Sequence, residues 1–206
     1  MISFRVQGID ELIERAKSLF GNKRPMLAAM GRGVGNLLRR HFAKLETGRP
    51  NKQGWPRTHF WREVLGSVQN PVVTADTASV AINHVAMAQR YFGGEIRPFR
   101  RQWLTIAASP ESYGKVAPDF SDLEFGMAVN PFGRLQRALG RGRDTHTEAD
   151  GSRTSILRDP LFWLTKRVNQ KPDPTTLPTD AELSAAAADA GENYLAAKLA
   201  QMGGAA

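Results

Sequence analysis

The chain has 206 residues, and its 41% hydrophobic and 23% charged content is typical of a globular protein, which excludes a disordered or fibrous chain. Because it has no cysteine, disulfides, thiolate metal sites and cysteine nucleophiles are excluded as well. The formal net charge of +8 divides into +12 for residues 1–172 and −4 for residues 173–206. A basic body of this kind attracts phosphate backbones or acidic protein surfaces, without indicating which of the two it binds.

The first 45 residues are predicted to form one short strand and two helices. Alternating apolar residues predict a half-buried strand at 2–6, and apolar residues at helical spacing predict helices over 10–20 and 25–45. The second helix has a basic face, formed by Arg32, Arg39, Arg40 and Lys44. No apolar run is long enough to span a bilayer, and the early acidic residues are atypical of a signal peptide, so we expect the chain to stay in the cytoplasm where it is made.

Loops and short elements alternate in the middle of the chain. Residues 46–62 are rich in Gly, Pro and Asn and predict a long ordered loop, which is followed by a hairpin at 72–82 and a short helix at 86–92. A strand is predicted at 103–106. The sequence Ser109-Pro110-Glu111 then predicts the start of a short helix that ends at Lys115.

The last third of the chain is predicted to contain a strand meander and a C-terminal helix. Three or four strands are expected between 122 and 168, and a polar, glycine-rich loop at 140–153 is expected to be mobile. A Pro-rich connector leads into an Ala-rich helix at 179–202. Because this helix has only a small apolar face, we expect it to need a partner to pack against.

Together these elements predict an α+β fold in which N-terminal helices pack on a mostly antiparallel β-sheet, with a long extended loop or hairpin and a C-terminal helix. We expect one core domain over residues 1–172, followed by a separate connector and helix over residues 173–206.

Motifs of enzyme chemistry are weak throughout the chain. The glycines of Gly31-Arg32-Gly33-Val34-Gly35 lie inside a helical pattern, so they favour close helix packing over a dinucleotide-binding loop. A hydrolase or nuclease site would have to draw on an isolated histidine and on Asp119, Asp122 and Glu124, acids that strand-edge solubility explains more simply. We therefore expect no catalytic activity, no cofactor and no metal site.

Aromatic and apolar residues in irregular segments suggest contacts between subunits, although such rings also fill the cores of small domains. The candidate interface residues are Trp55, Phe60, Trp61, Tyr91, Phe92, Ile96 and Leu195.

The order of several segments is informative over nearly the whole chain, from about Leu12 to Tyr194. These segments are LLRRHFAKL, GRPNKQGWPRTHFW, SVAINHVAMAQRYFGGEIRP, WLTIAASPESYG, LFWLTKRVNQKPDPTTLP and the closing Ala-rich helix. In this order they resemble the phage virion morphogenesis family, the tail completion proteins of Mu-like phages and prophages. The sequence departs from that pattern at Ala107, where the resemblance leads us to expect proline.

The resemblance implies a structural protein of the virion that acts at the neck or tail terminus, completes the tail and supports head-tail joining. It implies a homo-oligomeric ring, expected to be a hexamer, whose partners are tail tube and head-tail connector proteins, with no membrane partner. DNA would pass through the lumen without sequence readout. The candidate contacts to that DNA, or to an acidic partner, are Arg32, Arg39, Arg40, Arg141 and Arg143. The alternative left open is a phage DNA-binding protein that uses the basic helix face.

Overall fold

The computed structural model describes residues 2–3, 21–48, 53–147 and 149–203. These residues divide into two compact units. Of the described residues, unit 1 holds 2–3, 21–48, 59–93 and 171–203, and unit 2 holds 53–58, 94–147 and 149–170. Unit 2 is therefore largely one continuous segment that leaves unit 1 after Gly93 and returns to it at Lys171.

Unit 1 is built around two long helices. Its helices are α1 (Arg24–Gly48), α2 (Phe60–Gly66), α3 (Met87–Phe92) and α4 (Asp180–Gly203), with a 3-10 turn at Pro174–Thr176. The apolar residues of α1 recur every three or four positions, so one face of the helix enters the core. That core holds Met26, Leu27, Met30, Val34, Leu38 and Phe42 of α1 with Trp61 and Val64 of α2 and Leu183, Ala187 and Leu195 of α4.

The closest contact between α1 and α4 occurs at Gly33. A Cβ atom placed on Gly33 would lie 2.6 Å from the carbonyl oxygen of Ala186 and 2.6 Å from the Cβ of Ala190. The two helix backbones approach this closely because all three residues are small. The interpretation of the Gly31–Gly35 segment as a helix-packing motif is therefore confirmed.

Short two-stranded ribbons cover another side of α1. Strand β1 (Ile2–Ser3) pairs with β4 (Ala81–Ile82), and β2 (Val72–Val73) pairs with β3 (Ala78–Ser79). Gly31 contacts this region, since a Cβ there would lie 2.6 Å from the Cβ of Pro71.

Unit 2 contains a four-stranded antiparallel sheet and one further ribbon. The sheet order is β6 (Leu104–Ala107), β9 (Arg153–Thr165), β8 (Leu135–Thr147) and β7 (Glu124–Val129). The ribbon pairs β5 (Gly94–Ile96) with β10 (Val168–Gln170), so the two ends of this segment lie side by side. A 3-10 turn at Ala117–Asp119 precedes the sheet's edge strand β7.

The register of β8 against β9 changes once, next to Gly140. Leu139 pairs with Phe162 and Gly140 with Pro160, which leaves Leu161 as an extra residue. A Cβ on Gly140 would lie 2.3 Å from the carbonyl oxygen of Asp159, so only glycine fits the bulge without a shift. The buried hydroxyl of Ser112 donates to the carbonyl oxygen of Leu161, which satisfies this acceptor.

The predicted α+β class is confirmed, with long N-terminal and C-terminal helices, antiparallel sheets and a long hairpin. The loop predicted at 140–153 is wrong for most of its length, because β8 continues to Thr147 and β9 begins at Arg153. Strand pairing across the chain satisfies the backbone of this polar segment, which local composition does not reveal. The short helix expected at 109–115 forms turns instead, and the loop expected at 46–62 is shortened by α1 and α2.

The domain boundary also differs from the expected one. The segment from Lys171 onward belongs with the N-terminal helices, and α4 packs on α1 of its own chain rather than needing a neighbouring subunit. Of the predicted N-terminal elements, residues 2–3 form β1, while the rest of that strand and the helix at 10–20 lie outside the described residues.

We predict that Gly33→Ala destabilises unit 1 by about 1–3 kcal/mol, because the added methyl group forces α1 and α4 apart. The measurement is urea-induced unfolding followed by circular dichroism. Gly48→Ala is the matched control, since it lies in the same helix and its Cβ would meet nothing within 4 Å. Equal stability of the Gly33 and Gly48 variants would contradict the close-packing account.

Candidate interaction surfaces

Two of the predicted interface residues are buried inside unit 1. Trp61 and Leu195 are each 6% exposed and belong to its core, where Trp61 stacks on Phe42 with 6.0 Å between ring centroids. For these two residues the interface prediction is wrong, because the chain's own α1 covers them.

The other predicted aromatic residues of unit 1 are partly exposed. Phe60 is half-buried, and the guanidinium of Arg90 lies 4.8 Å from its ring centroid. Tyr91 is half-buried and meets Phe92 edge-to-face at 4.8 Å, whereas Phe92 itself is 65% exposed. Phe92 is therefore the one exposed residue of the predicted set.

The remaining two predicted residues lie in unit 2. Trp55 is half-buried and packs edge-to-face against Tyr113, with 5.5 Å between ring centroids. Ile96 is half-buried in β5. Both are explained by packing within unit 2.

Several exposed apolar side chains were missed by the sequence interpretation. Among them are Val85 (97%), Phe99 (92%), Phe132 (87%) and Phe125 (56%). Phe125 lies on the edge strand β7, and Phe132 lies in the turn that joins β7 to β8. Residue type alone could not separate these phenylalanines from buried ones such as Phe162.

The turn that carries Phe132 is held by its own hydrogen bonds. The side-chain oxygen of Asn130 accepts from the backbone N–H groups of Phe132 (2.9 Å) and Arg134 (3.1 Å). Gly133 adopts a left-handed φ of 75° and donates to the Asn130 carbonyl. The turn thus presents Phe132 to solvent from a preorganised backbone.

The basic face predicted on α1 is only partly available for contacts. Arg32 and Arg40 are exposed. Arg39 is half-buried and donates to the carbonyl oxygen of Val68 at 3.0 Å, so its guanidinium is used within unit 1.

The two predicted arginines of unit 2 are both paired with acids. Arg141 donates to Asp122 and, at 3.0 Å, to both carboxylate oxygens of Glu111, and Arg143 donates to Glu124 at 2.8 Å. A third pair, Arg158 with Asp144 at 2.8 Å, follows along the same hairpin. This part of β8 and β9 is therefore close to neutral, although its arginines are conspicuous in the sequence.

These ion pairs lower the pKa values of the acids. The hydrogen bond from Arg141 holds the pKa of Asp122 below its usual value, and the hydrogen bond from Arg158 does the same to the pKa of Asp144. Because the folded-state pKa values are depressed, the contribution of these pairs to stability is present above the unfolded pKa and is lost as the pH falls through the folded one.

A second group of cations lies at the opposite end of the sheet. We call it the basic end; its members are Arg97, Arg100, Arg101, Arg134, Arg137, Lys166 and Arg167, and all seven are exposed. The strand register places them together, because Leu104 pairs with Thr165 and Ala138 with Trp163 where β6, β8 and β9 meet this end.

Only one acid contacts the basic end among the described residues. Glu95 pairs with Arg97 and lies 3.8 Å from Arg167, and no ion pair in the described chain involves the other five cations. The sequence carried a signal for this cluster, since residues 96–110, 125–143 and 160–172 contain no acid. The sheet brings these three acid-free segments side by side.

An aromatic ring organises two of these cations. The guanidinium of Arg137 lies 5.1 Å and the ammonium of Lys166 4.7 Å from the ring centroid of Trp103. Arg100 lies 5.6 Å from the ring centroid of the exposed Phe99. Such cation-π contacts orient the charges without neutralising them.

No protein-family model, no curated protein and no solved structure matches the chain. Among the described residues, no group of three or more His, Asp or Glu is arranged to hold a metal ion. No helix within the described ranges is long and apolar enough to cross a membrane.

We predict that the Asp122 carboxyl titrates below its ordinary pKa of 3.8 and returns towards that value in Arg141→Gln, because the charged hydrogen bond is lost. Nuclear magnetic resonance of the side-chain carboxyl carbon measures this titration. Arg143→Gln is the control, since Arg143 pairs with Glu124 and its removal should leave Asp122 nearly unchanged. An ordinary pKa for Asp122 in the native chain would contradict the described pairing.

Proposed function

We propose that this chain is a structural protein of the phage neck or tail terminus, which forms a homo-oligomeric ring, completes the tail and supports head-tail joining. The segment order that resembles the virion morphogenesis family supports this proposal. The ring's partners would be tail tube and head-tail connector proteins.

The structural observation that carries the proposal is the apolar edge of the unit 2 sheet. Strand β7 pairs only with β8, so its other edge has no strand partner within the described residues. Phe125 on this strand is 56% exposed, and Phe132 in the following turn is 87% exposed. Open strand edges and exposed large apolar side chains are both features of surfaces that associate.

We assign a second copy of this chain as the occupant of that edge. In a ring each subunit contributes the same edge to one neighbour and a different surface to the other, and the contacts close when the rotation returns to the first subunit. Components that surround the tail axis and conduct DNA have to form closed rings, which favours such closure. Hexameric symmetry is part of the proposal through the resemblance alone.

The alternative of a DNA-binding protein that acts through the basic face of α1 has weaker support. Arg39, at the middle of that face, donates to Val68, which leaves Arg32, Arg40 and Lys44 as its exposed cations. A recognition helix also needs side chains that read base edges, and this face offers mainly phosphate-type contacts.

We predict that the native chain forms rings visible by negative-stain electron microscopy, and that the double variant Phe125→Ser, Phe132→Ser sediments as a monomer. The two serines remove the apolar contact that associates β7 with a neighbouring copy, while both positions are exposed enough to leave the fold intact. Circular dichroism checks that the fold is retained.

Val85→Ser is the matched control, because Val85 is 97% exposed but belongs to unit 1 and is not part of strand β7 or its turn. It should form rings like the native chain. A native chain that stays monomeric and is absent from washed particles, or a double variant that assembles normally, would contradict the proposal.

A further inference from the structure

We propose that the basic end of the unit 2 sheet binds the phosphate backbone of duplex DNA without reading its sequence. This inference deepens the proposed function, on which it rests for the source of the DNA, namely the genome that passes the ring. It moves the contact away from Arg141 and Arg143, where the sequence analysis expected it.

The positive charge of the basic end is largely uncompensated. Seven exposed cations face one carboxylate, Glu95, whose two contacts reach Arg97 and Arg167 only. The other five cations have no acidic partner among the described residues. A protein cation that binds a phosphate displaces the counterions condensed on the DNA, and the release of those counterions is the main driving force of sequence-independent DNA binding. Cations without an acidic partner are available for this exchange.

At the opposite end of the same sheet the arginines are paired with acids. There Arg141, Arg143 and Arg158 are held by Glu111, Asp122, Glu124 and Asp144. A phosphate would have to displace a carboxylate to reach any of these guanidinium groups. The two ends of one sheet therefore differ in available charge, although both are rich in arginine.

The width of the basic end can be compared with the spacing of phosphates along duplex DNA. The basic end spans strands β6, β9 and β8, two strand intervals, which correspond to about 10 Å. Duplex DNA carries one phosphate per about 1.7 Å of its axis, so about six phosphates fall within that distance. Because both strands are counted and only part of these phosphates face the sheet, seven cations are enough to contact every phosphate within reach.

The side chains of the basic end are chemically suited to bind phosphate. Six of the seven cations are arginines, whose planar guanidinium groups match two phosphate oxygens at once. Trp103 holds Arg137 and Lys166 against its ring, so part of the cost of ordering them is met before DNA arrives. Because the contacts of Trp103 are to cations, its role is to position them rather than to stack on bases.

The experiment measures binding of the full chain to a fluorescent duplex DNA of arbitrary sequence over a range of salt concentrations. The test variant replaces Arg100, Arg101, Arg137 and Lys166 with glutamine. Its affinity should fall by about 100-fold or more at 0.1 M salt, and the slope of log affinity against log salt should become shallower by about 3 to 4, since each lost phosphate contact removes about 0.9.

A matched control removes the same charge from α1, by changing Arg24, Arg32, Arg40 and Lys44 to glutamine; all four are exposed. It should retain most of the native affinity. Arg100→Lys, Arg101→Lys and Arg137→Lys combined should bind more tightly than the glutamine variant, because the charges are kept, and less tightly than the native chain, because lysine cannot match two phosphate oxygens at once. Far-UV circular dichroism compares the folds of all variants.

The inference is overturned if the native chain does not bind duplex DNA, or if the α1 variant loses as much affinity as the sheet-end variant. It is also overturned if polyglutamate of equal charge displaces DNA as well as unlabelled DNA does, since the surface would then suit an acidic protein. Electron microscopy of the native chain separates the two proposals: native rings that do not bind duplex DNA overturn this inference and leave the proposed function intact, whereas a native chain that binds DNA but forms no rings contradicts the proposed function.

Discussion

The close contact between α1 and α4 at Gly33 is the interaction on which the architecture of unit 1 depends. It joins residues that are about 150 positions apart in the chain, and it does so through three small side chains, Gly33, Ala186 and Ala190. With α4 held against α1, the segment that precedes α4 is fixed beside α3, where Asp173 donates to the carbonyl of Arg90. The two places where the chain leaves and re-enters unit 1 therefore lie close together, and Gly94 pairs with Gln170 at the base of unit 2.

Unit 1 is stabilised mainly by apolar packing, whereas ion pairs between strands are prominent in unit 2. Its core is small, with Ala128, Ala138 and Leu157 as its main buried cluster, and much of its long hairpin carries polar side chains. At one end of the sheet arginines and acids neutralise each other across neighbouring strands, which favours pairing of strands that have little apolar surface. At the other end Glu95 is the one acid in contact among the described residues, so positive charge accumulates on exposed side chains. Exposed ion pairs add little stability individually. The unpaired cations of the basic end add no stability of this kind, which is consistent with a surface that binds a partner.

The sequence predicted well wherever a local pattern decides the structure. The periodicity of Leu27, Met30 and Val34 identified α1, and the composition after Thr179 identified α4. Prediction failed where distant residues decide. The segment 140–153 is polar and looks like a loop, but pairing of Arg143 with Leu157 and of His146 with Thr154 makes most of it strand. Arg141 looked available for DNA because its acidic partners, Glu111 and Asp122, lie 30 and 19 positions away. The basic end was missed for the same reason, since its cations come from three segments that only the sheet assembles.

The most direct test of the combined account is ultraviolet cross-linking of DNA to protein in tailed particles whose gene set includes this chain, followed by mass spectrometry of the linked peptides. The account predicts that the chain is present in the particles and that the DNA-linked peptides come from the segments around Arg100, Arg137 and Lys166. Absence of the chain from the particles, or cross-links confined to α1 or to the paired arginines of the hairpin, would contradict it.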